Sequence, residues 1–316
     1  GSAAFSGAIN IVTRQSGALM RHALAAEDAE GKSRWGGEAQ VEGGSFGSVG
    51  ADARVSVLVP WGKGKSDLSS SLSAGYARSD GGTDNSDFSK WHGYYQGALV
   101  SRYADVDWQA GITSQDYGAN TFYSARFPNQ YEWTRRYMGS VQAQVRPFAM
   151  VENQTLRSLS FTPTVYAHRD VDHYQLTRGQ EGAAAGENYH RMDVYGASLN
   201  AQLDWCLGKT AAGVDVRKEH ILSTAYGNPL AEAAWRPIHG TDRQYSREGN
   251  RTNTSLFLEH NIILGSLTVS AGLLANRNTG LDGDYRFYPG IDVSYRPTRH
   301  WKLYASWNKA LRVPTF

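Results

Sequence analysis

Apolar and polar side chains alternate with a period of two through almost all of this chain, in segments of about nine to thirteen residues. That period places successive side chains on opposite faces of an extended strand. The segments are about twice as long as an ordinary globular strand, and they match what a tilted strand needs to cross a bilayer. Helical periodicity is nearly absent. The pattern predicts thirteen strands: Trp35–Gly43, Ser48–Val59, Leu68–Arg78, Lys90–Arg102, Val106–Gln115, Trp133–Arg146, Leu156–His168, Met192–Trp205, Ala211–Ser223, Thr252–Ile263, Leu267–Asn276, Tyr285–Tyr295 and Trp301–Trp307. In the sixth, Trp133, Tyr137, Val141, Ala143 and Val145 share one face, against Thr134, Arg136, Ser140, Gln142, Gln144 and Arg146. The tenth is ambiguous, because Leu256, Leu258 and Ile262 compete with Phe257 and Ile263 for the apolar face.

Composition removes the other fold and function classes. In 316 residues, 32 Lys and Arg face 30 Asp and Glu, which leaves a net charge of +2 and no field of the kind a nucleic-acid binder needs. The longest apolar run, counting Gly, is five residues, far short of the roughly 18 a membrane helix requires. One cysteine, Cys206, permits neither an intrachain disulfide nor a multi-cysteine metal site, and it reads as a small apolar filler in a turn. A soluble all-β protein and an outer-membrane barrel remain. Turn lengths favour the barrel. One set of connections is mostly short, as at 103–105, 206–210 and 264–266, while the other set includes the long segments 79–89, 116–132, 169–191 and 224–251. Tryptophan favours it too. Eight of the nine lie at or near a strand end, and the seven within strands all sit on the apolar face, as two aromatic girdles require. Thirteen is odd, and closed bacterial barrels have even strand counts, so the sequence reads as a fragment of a transmembrane antiparallel β-barrel.

Both termini carry motifs. The run from Gly1 to Arg14, with Gly7, Ile9, Asn10 and Ile11, resembles the segment that ends the plug domain of TonB-dependent outer-membrane receptors. Lys309–Phe316, with Arg312 and Pro314, is similar to a Phe-Arg-Ala-Pro-Ser/Thr motif well into the barrel of that family, with Leu311 and Val313 in place of Phe and Ala. The resemblance implies a barrel of about 22 strands, with residues 1–19 ending the plug, 20–34 linking, and 35–316 forming the first thirteen or so strands. It implies location in the bacterial outer membrane, contact with lipid and lipopolysaccharide, no covalent chemistry, and partnership with the TonB energy-transducing complex through a part of the protein outside this sequence. Within the family, Thr83–Lys90 and Tyr117–Ser124 most resemble loops of the cobalamin transporters, where a carboxylate cluster binds calcium.

Several outer-loop residues are candidates for chemistry. Asp80, Asp84 and Asp87, with Asp116 from the next loop, are hard oxygen donors at a spacing that suits Ca²⁺, or they form a solvated acidic turn. Tyr117, Phe122, Tyr123, Arg126 and Tyr131, with Arg312, present the aromatic and guanidinium surface that suits a large ligand such as a corrinoid, a ferric siderophore or haem; ordinary loop packing is the competing reading. His168, Asp170 and Asp172 share the polar face at the rim, as a metal or hydrolytic site or as hydrated charge. The expected function is active import of a large scarce nutrient, with cobalamin first and a ferric siderophore or haem next. A passive porin or adhesin and a rim-site enzyme are the alternatives from other classes.

Overall fold

The computed structural model describes residues 33–61, 66–147 and 156–310. Thirteen long strands run up and down in chain order: β1 (Arg34–Gly43), β2 (Val49–Trp61), β3 (Ser66–Ser79), β4 (Phe88–Val100), β5 (Ala104–Gly118), β6 (Tyr131–Val145), β7 (Leu156–Gln175), β8 (Asn188–Trp205), β9 (Gly208–Ser223), β10 (Arg247–Leu264), β11 (Leu267–Asn278), β12 (Arg286–Tyr295) and β13 (Leu303–Asn308). Each pairs antiparallel with its sequence neighbours, and β1 and β13 are the two edges of the sheet, so the wall is an open arc. No α-helix occurs among the described residues. The strands extend further at their outer ends than alternation predicts. β7 runs seven residues beyond His168, to Gln175.

Register fixes the faces. Val141 pairs with Val165, Val165 with Ala197, and Ala197 with Val216, which gives a continuous apolar row on the convex side. Gln142, Thr164, Ser198 and Asp215 form the next row, on the concave side. The usual burial order is inverted: Val165 and Leu258 are each 55% exposed, whereas Ser69, Glu219, Asn253 and Asn276 are buried. Such a wall is stable where the convex side meets hydrocarbon and the concave side meets water and polar groups. Lumen-side polar groups satisfy one another. Asn276 donates to Asn253 Oδ1 at 3.0 Å and to Ser255 Oγ at 2.9 Å.

The ambiguous tenth strand is settled by its neighbour. Leu256 pairs with Val214 and Leu258 with Ala212, so Leu256, Leu258 and Ile262 face outward. Phe257 turns into the lumen over Gly213, where a Cβ would stand 2.4 Å from its ring. Outward glycine makes similar room at Gly97, where a Cβ would meet the Trp108 indole at 2.4 Å. Trp133 faces outward as expected, but it lies four residues beyond Tyr137, above the apolar belt rather than in the girdle. Segment 224–246 contains a short ladder, Arg236–Pro237 with Gln244–Tyr245, while Asn228–Pro229 adds to β10. Gly7, Ile9, Asn10, Ile11 and Arg312, and with them the plug and linker expectations, lie outside the described residues.

Candidate functional site

The long loops meet above the wall, and one asparagine and one arginine tie them together. Asn85 sits at φ 52°, a left-handed conformation that asparagine tolerates. Its Nδ2 donates to the carbonyls of Pro128 (3.0 Å) and Gln130 (2.7 Å). Its backbone packs so tightly on Gly118 that a Cβ there would stand 2.6 Å from it. From the third loop, Arg178 donates to both carboxylate oxygens of Asp87 at 2.6 and 3.0 Å, and its backbone N–H reaches Asn129 O at 2.7 Å. The same guanidinium lies 4.8 Å from the centre of the Tyr131 ring. This fork holds Asp87 below the usual carboxylate range.

Two of the four carboxylates considered for calcium have arginine partners. Asp87 belongs to Arg178, and Asp80 pairs with Arg78 at 3.2 Å. Asp116 is raised by burial, against the lowering influence of Arg178. Among the described residues, no group of three or more His, Cys, Asp or Glu side chains is placed to hold a metal ion.

A second cluster faces the lumen. Tyr117 on β5 pairs in register with Glu132 on β6. The Tyr117 hydroxyl donates to Glu132 Oε2 at 2.5 Å, and Tyr123 donates to the same oxygen. The two phenol oxygens are 3.2 Å apart. Burial, then the bond to Glu132, pushes the Tyr123 phenol up to about 12, and Tyr117 is raised by the same causes. Both therefore stay protonated and act as donors. Phe122 stands edge-on to Tyr123 at 4.8 Å, and Tyr123 edge-on to Tyr174 at 5.8 Å. Phe122 is 74% exposed, so its ring is offered to whatever enters. Below them Asp172 Oδ1 is buried with no hydrogen-bond partner. Burial, and then the Glu132 charge, pushes the Asp172 carboxyl up to about 7. Beside it His190 is lowered by burial and bonds Ser223 Oγ through Nδ1 at 2.9 Å.

The structure thus brings Tyr117, Phe122 and Tyr123 together and separates Tyr131, which faces outward with Arg178. Arg126 lies over the Phe127 ring at 5.7 Å. Of the rim group, His168 Nε2 is 3.5 Å from Asp170 Oδ2, and Asp170 also pairs with Arg136. His173 turns to the other face, stacked on Tyr189 at 4.1 Å and bonded to Glu187 at 2.9 Å. Burial alone would raise the Glu187 carboxyl, but bonds from Gly182 N–H, His173 and Tyr189 outweigh it and leave the group below its usual value. Cys206 is exposed in the β8–β9 turn rather than packed as a filler. Glu132 was not among the expected site residues, and Asp172 was expected with His168 and Asp170 rather than beneath the tyrosines. Continuing the lumen parity of β6 and β7 outward brings both to the cluster, whereas the pairing of Arg178 needs a contact 91 residues away in sequence.

Two outcomes follow for the intact protein. With Arg178 as the counter-ion of Asp87, thermal unfolding in millimolar calcium and in chelator gives the same midpoint, and Arg178→Ala costs about 1 kcal/mol in both; a midpoint raised by calcium alone contradicts this. Asp172 binds its proton more tightly folded than unfolded, so its contribution to stability falls as pH rises from about 4 to 7. Asp172→Asn should then be more stable than the parent at pH 8, by about 1–3 kcal/mol, and equal to it at pH 4. An equal difference at both values contradicts that assignment.

Comparison with known proteins bears on the whole wall. The sequence model described as "TonB dependent receptor-like, beta-barrel" matches residues 60–316. No curated protein matches the chain. Among solved structures, the fold is similar to the FrpB iron transporter of Neisseria meningitidis (F3-3 variant; 16% identity, TM-score 0.61, 93% of this chain and 48% of that one). It is similar to a mutant of the ferric enterobactin receptor PfeA of Pseudomonas aeruginosa in complex with enterobactin (14%, 0.60, 91% and 46%). It is also similar to the siderophore receptor PirA of the same organism (13%, 0.52, 90% and 43%). The chain spans less than half the length of each of these structures. With alternation, register and family match in agreement, the chain belongs to the TonB-dependent receptors of the bacterial outer membrane and forms part of their β-barrel wall.

Proposed function

We propose that this wall belongs to an active importer that captures a large metal chelate outside the cell and admits it with energy delivered through TonB. The observation that carries this reading is the lumen-facing group at the rim. Phe122 offers an exposed ring, and behind it Tyr117, Tyr123 and Glu132 form a pre-bonded polar patch. Aromatic rings give broad contact at low entropic cost, and a patch whose hydrogen bonds are already made loses little order on binding.

A ferric siderophore is the leading ligand class. FrpB is an iron transporter, PirA a siderophore receptor and PfeA a receptor for ferric enterobactin, and all three share this fold. A corrinoid is the second class. Its support is the likeness of Thr83–Lys90 to a calcium-binding loop, and the commitment of Asp87 to Arg178 takes away part of that chemistry.

Titration of the full-length receptor with a panel of ferric siderophores and with cyanocobalamin tests the reading. One ferric chelate should bind saturably, Phe122→Ala should weaken it about tenfold, and uptake in cells should cease without TonB. Saturable binding of cyanocobalamin alone moves the assignment to the corrinoid. Uptake that persists without TonB identifies a passive pore and overturns the proposal.

A further inference from the structure

Charge is sorted between the two faces of the outer strand ends. Arg135, Arg169 and Arg191 project on the outward face, in a cleft roofed by segment 224–246, which bends back over that face and packs Ile238 and Tyr245 on Leu222. Arg178 also lies outside, on Asp87. The carboxylates gather inside. Directly below the Tyr117–Glu132 row, the next lumen row reads Lys90–Gln115–Thr134–Asp172, and the one beneath it reads His92–Thr113–Arg136–Asp170. Between these rows and β1–β2 lies a lumen-facing cavity of about 610 Å³.

Five carboxylates line the cavity: Glu42, Asp52, Glu132, Asp170 and Asp172. Two of them are matched. Asp170 pairs with Arg136, and Asp52 stands 3.5 Å from His92 Nε2. Glu42, Glu132 and Asp172 are left to share Lys90. Arg135 borders the cavity too, but its guanidinium lies outside, over the Trp133 ring. Asp172 Oδ1 is buried with no hydrogen-bond partner, and burial and the Glu132 charge together oppose ionisation of this carboxyl. That is the state of two carboxylates short of a counter-charge. Both phenols donate to Glu132 Oε2, so among the described residues Oε1 is the oxygen left to an incoming group. The same bonds spend the phenol protons, so an anionic ligand gains no donor from Tyr117 or Tyr123.

We propose that this cavity selects among ferric chelates by charge: it takes one that carries a protonated amine and is neutral or cationic overall, with the ammonium on Glu132 and Asp172 and the chelate body against Phe122 above them. Glu132 is then the specificity-determining residue. The proposal rests on the reading of this protein as a ferric-siderophore importer and adds the charge of the ligand to it. An ammonium entering the cavity supplies the missing counter-charge and brings its own N–H donors to the carboxylates. A polyanionic chelate sets like charge against groups it cannot neutralise, and that repulsion excludes it.

The test uses the full-length receptor and a set of probes that differ in charge. Ferrioxamine B is a hydroxamate chelate with a pendant ammonium, its N-acetylated form is the same chelate without that charge, and ferric enterobactin is a polyanionic catecholate. In titrations followed by tryptophan fluorescence, ferrioxamine B should bind at least about tenfold more tightly than either of the others. Glu132→Gln keeps an acceptor for both phenols but removes the charge, and it should cut that preference to about threefold or less, with sheet content by circular dichroism unchanged. Failure of ferrioxamine B to bind, equal affinity for the amine and acetylated chelates, tighter binding of ferric enterobactin, or an unchanged preference in the folded variant overturns the proposal. TonB-dependent uptake of ferric enterobactin in preference to ferrioxamine B overturns it too and leaves the importer reading intact, whereas TonB-independent uptake removes that reading and this inference with it. If Glu132→Gln does not fold, the comparison of the two ferrioxamines on the parent protein decides alone.

Discussion

A backbone group left unpaired in hydrocarbon costs several kcal/mol, and that cost shapes this chain. A continuous antiparallel ladder meets the demand, because each strand pairs with both neighbours from β2 through β12. Once the ladder is fixed, the side chains have only two places to go. The row Val141–Val165–Ala197–Val216 faces lipid, and the row Gln142–Thr164–Ser198–Asp215 faces the lumen. The protein therefore needs no large apolar interior, and among the described residues buried polar side chains outnumber buried apolar ones.

Above the belt the constraint relaxes, and side-chain bonding takes over. Asn85 and Arg178 hold three loops together through contacts with carbonyls, a carboxylate and an aromatic ring. The extended outer ends of β5 to β8 carry charge on both faces. On the lumen side this gives the Tyr117–Glu132–Tyr123 group, with Asp172 beneath it; on the outer side it gives Arg135, Arg169 and Arg191 under the bent-back loop. One strand thus faces two environments, separated by parity alone.

Wherever lipid imposed alternation, the sequence was readable. All thirteen strands occur in order, and the faces read for the first six are as expected. The failures have a common physical origin. From Arg169 to His173 Val171 is the single apolar residue among four charged or polar ones, so the pattern does not show that β7 continues. At Phe257 an aromatic ring on the lumen side, housed by Gly213, imitates an outward residue until register with β9 is known. Trp133 looks like a girdle residue, and only the position of Tyr137 along β6 puts it and Arg135 in an outer cleft. The Asp87–Arg178 pair joins residues 91 apart, so no local reading of Asp80, Asp84 and Asp87 could anticipate it.

The central claim is that adjacent residues of one strand meet lipid and lumen in turn. Nitroxide labels placed singly from Tyr195 to Trp205 along β8, in the intact receptor in bilayers, measure it directly through collision with dissolved oxygen and with a water-soluble relaxant. The account predicts oxygen maxima at Tyr195, Ala197, Leu199, Ala201 and Leu203, with minima at Gly196, Ser198, Asn200 and Gln202. A flat profile, or one with the opposite phase, would contradict it.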